Sequence, residues 1–62
     1  MSSKEVLKML KKDGWYVSTS EGSHFQLKHP IKKGKVTVPH PRKDLPLKTI
    51  KSIETQSGVK LT

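Results

Sequence analysis

The sequence has no cysteine, only one residue each of Trp, Tyr and Phe, and no long apolar run. Without cysteine the chain forms neither a disulfide framework nor a thiolate metal site, which fits a reducing cytoplasm. No apolar stretch approaches the roughly 20 residues of a membrane-spanning helix. Lysines also interrupt the region where a signal peptide would carry its apolar stretch. We therefore expect a cytoplasmic protein with no membrane partner.

Acidic residues are also scarce. The chain has 13 Lys and Arg against 5 Asp and Glu, a formal net charge of +8. Such a balance favours a polyanionic partner, and self-repulsion among the cations would also be relieved by an acidic protein. With 62 residues the chain forms a single domain, residues 1–62, whose core is small. Any chemistry must therefore take place on an exposed face.

Two helices are predicted from capping signals and apolar spacing. Ser2 and Glu5 form a capping box for a helix over about residues 3–13, which Gly14 ends. The second helix carries Pro46 in its first turn, has apolar residues 47, 50 and 53 at three-residue intervals, and ends at Gly58.

Three strands lie between the helices. Residues 15–19 are aromatic and β-branched, residues 20–22 supply a turn, and residues 35–38 form the last strand. Residues 23–29 alternate, with Phe25 on the inner face and His24 on the outer. Both helices must cover the same face of the sheet, so we expect a two-layer α+β domain of order α-β-β-β-α with one sheet face open.

His24 is the candidate catalytic residue on that open face. An imidazole can remove the proton from a ribose 2′-hydroxyl, which then attacks the adjacent phosphorus and leaves a 2′,3′-cyclic phosphate and a 5′-hydroxyl. Lysines near it would stabilise charge on the phosphoryl oxygens. Gly22 would let the backbone approach a phosphate, and Ser23 could bind it. By spacing alone, a single histidine in a strand is more often an ordinary surface residue than a catalytic one.

Other kinds of site are not indicated. The three histidines share no metal-ligand spacing with a carboxylate or cysteine. The sequence also lacks a glycine-rich phosphate loop, a serine nucleophile elbow and a carboxylate pair. We expect no metal and no other cofactor.

The motifs taken together resemble the HicA family of toxins, which are mRNA interferases of type II toxin–antitoxin systems. The resemblance covers about residues 3–61 and rests on the ordered set Gly14-Trp15, Gly22-Ser23-His24, Lys28-His29-Pro30, Val36-Thr37-Val38-Pro39-His40 and the segment from Leu47 to Gly58. It implies a double-stranded-RNA-binding-domain-like fold and a catalytic role for His24. It further implies mRNA as substrate and a HicB-type antitoxin as partner, with operator DNA contacted only through the antitoxin.

The sequence departs from the family pattern at two positions. Phe25 and Pro41 stand where the family often carries further histidines. The general acid is therefore open among His40, Lys28 and bulk water. Gly22 and Ser23 are expected to shape the site, and the residues expected to hold phosphates are Lys28, Lys33, Lys35 and Arg42.

Two alternatives use the same basic surface without catalysis. A module that recognises double-stranded RNA or DNA would bind a duplex through shape and phosphates. A purely protein-binding basic module would show no salt-dependent affinity for RNA.

Overall fold

The computed structural model describes residues 1–62, and its two helices and three strands follow the order predicted from the sequence. Their bounds are α1 Ser3–Asp13, β1 Tyr16–Glu21, β2 His24–Lys28, β3 Val36–Pro39 and α2 Leu47–Ser57. The α+β class and the α-β-β-β-α order are therefore confirmed. Neither helix has the length and apolar character that a membrane crossing requires.

Helix α1 begins and ends where its capping signals predict. The Ser2 hydroxyl accepts the Glu5 N–H at 3.2 Å, and the Glu5 carboxylate accepts the Ser2 N–H at 3.0 Å. At the other end Gly14 has a left-handed backbone with φ of 110°. The N–H groups of Gly14 and Trp15 bond to carbonyls in the last turn of the helix. This arrangement turns the chain out of α1 and into β1.

The sheet is antiparallel, with β2 in the centre between β1 and β3. A register shift between Val17 and Thr19 interrupts the pairing of β1 with β2. Leu27 of β2 and Val36 of β3 are paired and fully buried, as the alternation predicts. The pairing places alternate residues of β2 on two different surfaces, one packed against the helices and one open.

The turn between β1 and β2 lies later than the sequence analysis placed it. β1 continues to Glu21, so the loop consists of Gly22 and Ser23 and not of residues 20–22. Gly22 has φ of 55°, which a glycine adopts at little cost in a two-residue hairpin loop. Pairing with β2 therefore extends β1 beyond Thr19, where the run of aromatic and β-branched residues ends.

Helix α2 also differs in detail from its prediction. Pro46 is the residue before the first turn, and its carbonyl accepts the Ile50 N–H at 3.0 Å. Ile50 and Ile53 are buried, whereas Leu47 is 58% exposed. A three-residue step falls short of the 3.6-residue turn, so Leu47 rotates away from the sheet. Gly58 ends the helix as predicted.

One apolar core lies between the helices and the inner face of the sheet, which confirms the predicted two-layer arrangement. Trp15 is buried in it, while Phe25, also expected in the core, is only half-buried at its edge. The core residues are Val6, Leu7, Leu10, Trp15, Leu27, Val36, Val38, Leu45, Ile50, Ile53 and Leu61.

The last residues fold back against this core through Glu54. Its carboxylate accepts the N–H groups of Leu61 at 2.6 Å and Thr62 at 2.9 Å. These hydrogen bonds, led by that of Leu61, hold the pKa of Glu54 below its ordinary value. Leu61 is thereby buried and Val59 is half-buried.

Candidate functional site

His24 is the first residue of the central strand and is exposed on the open face of the sheet. It pairs with Glu21 of β1 on one side and with Pro39 of β3 on the other. Its imidazole takes part in none of the hydrogen bonds that involve histidine side chains, which belong to His29 and His40. The ring is therefore free to meet a ligand from solvent.

A shallow recess of about 320 Å³ surrounds the imidazole. It is lined by Thr19, Glu21, His24, Gln26 and Thr37. The sequence predicts lysines next to His24, but the recess holds none, and its second titratable side chain is a carboxylate. Glu21 was missed because it was assigned to the turn. Recognising Gly22 and Ser23 as a two-residue loop would have paired Glu21 with His24.

The Gly22–Ser23 loop joins Glu21 to His24, two of the residues that line the recess. A Cβ placed on Gly22 would meet no atom within 4 Å, so open space adjoins this backbone. The Ser23 carbonyl accepts the His40 N–H at 2.8 Å, which ties the loop to the segment after β3. The loop is thus held at its base and open at its tip, where another molecule can approach.

All three predicted phosphate-binding lysines lie at the other end of the sheet. Lys28 is four residues along β2 from His24, about 13 Å at roughly 3.3 Å per residue. Lys35 directly precedes β3 at that same end, and Lys33 lies in the loop that joins the two strands. A phosphate near His24 and a phosphate near Lys28 would therefore belong to different nucleotides.

Arg42 lies at the same end of the domain as His24. Its backbone is tied to the start of α1, because the Arg42 N–H donates to the Ser3 hydroxyl at 2.9 Å and its carbonyl accepts the Ser3 N–H at 3.0 Å. The Arg42 side chain is exposed. It is the one predicted phosphate ligand that the fold brings to the His24 end.

His40 occupies the face opposite His24. Its ring packs edge-on against Phe25, with the centroids 4.8 Å apart, and its Nδ1 lies 2.7 Å from the Ser3 hydroxyl oxygen. Phe25 belongs to the helix-facing side of β2, so His40 shares that side. Neither His40 nor Lys28, the two side chains that the sequence leaves open as its general acid, lines the recess around His24.

The His29 side chain is held by hydrogen bonds to the end of α1 and to the loop after β2. Its Nε2 lies 2.8 Å from the Asp13 carbonyl, and its Nδ1 accepts the N–H groups of Ile31 and Lys32. These partners select the neutral tautomer with hydrogen on Nε2. The Lys32 ammonium also donates to the Asp13 carboxylate, and this hydrogen bond is the main cause that lowers the pKa of Asp13. The three side chains thereby tie the end of α1 to the loop after β2.

The side chains that commonly bind metal ions do not cluster in this structure. No group of three His, Cys, Asp or Glu side chains is positioned to hold a metal ion. The functional groups near the recess are therefore the imidazole, one carboxylate, hydroxyls and an amide.

Comparisons with known proteins agree with this architecture. The family model for the HicA toxin of bacterial toxin–antitoxin systems matches residues 3–59. A chain of a solved "HicA3 and HicB3 toxin-antitoxin complex" is 33% identical, with a TM-score of 0.80 and 100% of both chains covered. No curated protein matches the chain. Since the family match spans nearly the whole domain, this chain belongs to the HicA family of toxins.

Proposed function

We propose that this toxin is an endoribonuclease that cleaves mRNA and thereby blocks translation. The observation that carries the proposal is the imidazole of His24, which is exposed and unpaired in an open recess on the uncovered face of the sheet. The net charge of +8 supplies the attraction for a polyanionic substrate.

In the proposed reaction His24 accepts the proton of a ribose 2′-hydroxyl. The oxygen attacks the adjacent phosphorus, the bond to the 5′-oxygen breaks, and the products are a 2′,3′-cyclic phosphate and a 5′-hydroxyl. General base catalysis of this kind contributes about 10²–10⁴-fold.

The proton for the leaving 5′-oxygen comes from water in this proposal. Attacking and leaving oxygens lie roughly in line across phosphorus, so one side chain does not reach both. The recess is open to solvent, and His40 and Lys28 lie away from it. Solvent is therefore the proton donor best supported by the geometry.

The RNA backbone is held by the loop and by exposed cations. Gly22 and Ser23 would adjoin the reacting phosphate, with Arg42 at the same end of the domain. Lys28, Lys33 and Lys35 would contact phosphates farther along the open face. Such contacts are salt-dependent and largely independent of base sequence.

A HicB-type antitoxin is the proposed protein partner. The similar solved structure is a toxin–antitoxin complex of HicA3 with HicB3. An acidic antitoxin that covers the open face would neutralise charge and block access to His24 together. Contact with operator DNA would then be made through the antitoxin.

The test compares wild type with His24→Ala on a labelled single-stranded RNA in EDTA. Wild type should cleave in chelator and yield 2′,3′-cyclic phosphate ends, while the variant should lose about 10²-fold or more in rate. Because His24 is exposed, its removal should leave the fold intact, which circular dichroism checks. Unchanged cleavage by the variant would reject His24 as base, and RNA binding without any cleavage would favour the non-catalytic module.

A further inference from the structure

A second concave surface lies on the helix side of the sheet, away from the His24 recess. This groove has a volume of about 590 Å³ and runs between the exposed side of α1 and the end of β3. Its lining consists of Lys4, Leu7, Lys8, Lys11, Phe25 and His40. None of these groups takes part in the cleavage step proposed above.

The three lysines of the groove form one row along α1. Lys4, Lys8 and Lys11 are spaced four and three residues apart, which places them on the same side of the helix. None of them forms an ion pair, because the ion pairs of the chain involve the N-terminus, His29 and Lys32.

No acidic side chain in the groove neutralises the positive charge of this lysine row. Four of the five acidic side chains have partners elsewhere: Glu5 bonds to Ser2, Asp13 to Lys32, Asp44 to the N-terminal ammonium and Glu54 to the last residues. Glu21 lies on the open face with His24. The groove therefore presents three cations with no protein anion, a setting that favours a phosphate group.

The opposite wall of the groove is formed by two aromatic rings. Phe25 and His40 meet edge to face at an interplanar angle of 64°, and both are half-buried. The Ser3 hydroxyl engages His40 Nδ1, and no protein group bonds to its Nε2. Ser3 is only 1% exposed, so the imidazole is anchored on a buried group. Rings held in this way can stack on a nucleobase, and Nε2 can bond to its edge.

The groove and the proposed cleavage site are also linked by adjacent residues of β2. Phe25 directly follows His24 on β2, and their side chains point to opposite faces of the sheet at the same end. A single strand that passes around this end contacts both surfaces with neighbouring nucleotides. A duplex keeps its bases stacked inside and cannot offer one to the rings.

We propose that the α1 groove binds a nucleotide of single-stranded RNA adjacent to the cleavage site, with Lys4, Lys8 and Lys11 on its phosphate and Phe25 and His40 against its base. The inference rests on the proposed function for its substrate class. It adds a second binding subsite that holds the strand on the helix side while His24 acts on the open face.

The experiment measures RNA binding in a His24→Ala background, where cleavage does not interfere. The groove variant is Lys4→Gln/Lys8→Gln/Lys11→Gln, and the matched control is Lys48→Gln/Lys51→Gln/Lys60→Gln, which removes the same charge elsewhere. Anisotropy of a labelled single-stranded RNA should show at least a 10-fold loss for the groove variant and a much smaller loss for the control. The salt dependence should flatten by about 0.7 units of slope, because the three lysines contact one phosphate.

Phe25→Leu tests the aromatic wall while it keeps an apolar side chain in place. We expect about a 5-fold or larger loss of affinity for single-stranded RNA, and no comparable loss for a duplex of the same sequence. Equal losses on the two RNAs would overturn the stacking role.

The outcomes separate this inference from the proposed function. If wild type cleaves RNA through His24 but the two lysine variants bind RNA equally, the groove is not a subsite and the inference fails alone. If wild type does not cleave but the groove variant loses binding, the cleavage proposal fails and the subsite stands. If the groove variant loses affinity for the purified antitoxin but not for RNA, the groove is a protein-binding surface and the inference is overturned.

Discussion

Removal of the Ser3 hydroxyl should destabilise the domain strongly. Ser3 Oγ lies 2.7 Å from His40 Nδ1, accepts the Arg42 N–H at 2.9 Å and contacts the Arg42 carbonyl at 3.2 Å. Ser3 is only 1% exposed. In Ser3→Ala the Arg42 N–H and the imidazole both lose this partner in a part-buried setting.

The magnitude follows from the two groups that lose a partner. Each buried polar group left without a hydrogen bond costs about 1–3 kcal/mol, so two such groups cost about 2–6 kcal/mol. Because His40 is only half-buried, we expect the lower part of this range, about 2–4 kcal/mol, in Ser3→Ala. A domain of this size has a stability of roughly 3–5 kcal/mol. The substitution should therefore remove most of the stability and lower Tm by roughly 4–8 °C for each kcal/mol lost.

Urea denaturation followed by Trp15 fluorescence measures this loss, because Trp15 is 2% exposed in the folded state. Ser52→Ala is the matched control, since Ser52 is exposed in α2 and alanine favours a helix. Its free energy of unfolding should stay within about 0.5 kcal/mol of wild type. A Ser3→Ala loss no larger than that of the control would refute the anchoring role of Ser3.

Gly14→Ala should destabilise the fold more than Gly34→Ala in the same urea assay. Both glycines have positive φ, a backbone conformation that costs alanine about 1–2 kcal/mol. In addition, a Cβ on Gly14 would lie 2.7 Å from His29 Nε2, whereas a Cβ on Gly34 would face open space. Equal losses would contradict this. Glu54→Gln should reduce stability above the ordinary pKa of glutamate, because the bonds from residues 61–62 lower the pKa of Glu54 in the folded state. That difference from wild type should vanish as the pH falls through the lowered pKa, and a pH-independent difference would contradict it.

Local signals predicted most of the fold. Ser2, Glu5 and Gly14 act on their own neighbours through capping, so the bounds of α1 follow from the sequence. Alternation along β2 likewise places Leu27 inward and His24 outward, since a strand has a period of two. These features depend on residues close in the chain.

The errors lie where distant contacts or turn geometry compete with local propensity. The hairpin loop was placed too early, because pairing with β2 extends β1 to Glu21. Leu47 was grouped with the apolar face of α2, but the position of the helix on the sheet leaves it exposed. The two-residue loop is a local signal that could have corrected the first error, whereas the exposure of Leu47 depends on how α2 packs on the sheet.

The groups around the histidines likewise divide into those that the sequence predicts and those that only the tertiary structure brings together. The sequence by itself determined that the protein is a strongly basic α+β domain with His24 on an open strand face and with HicA-like motifs. Only the tertiary structure decided which groups accompany each histidine: Glu21 beside His24, and Ser3 and Phe25 beside His40. The physical reason is that strand register and helix docking join residues far apart in the chain, such as Ser3 and His40, which are 37 positions apart.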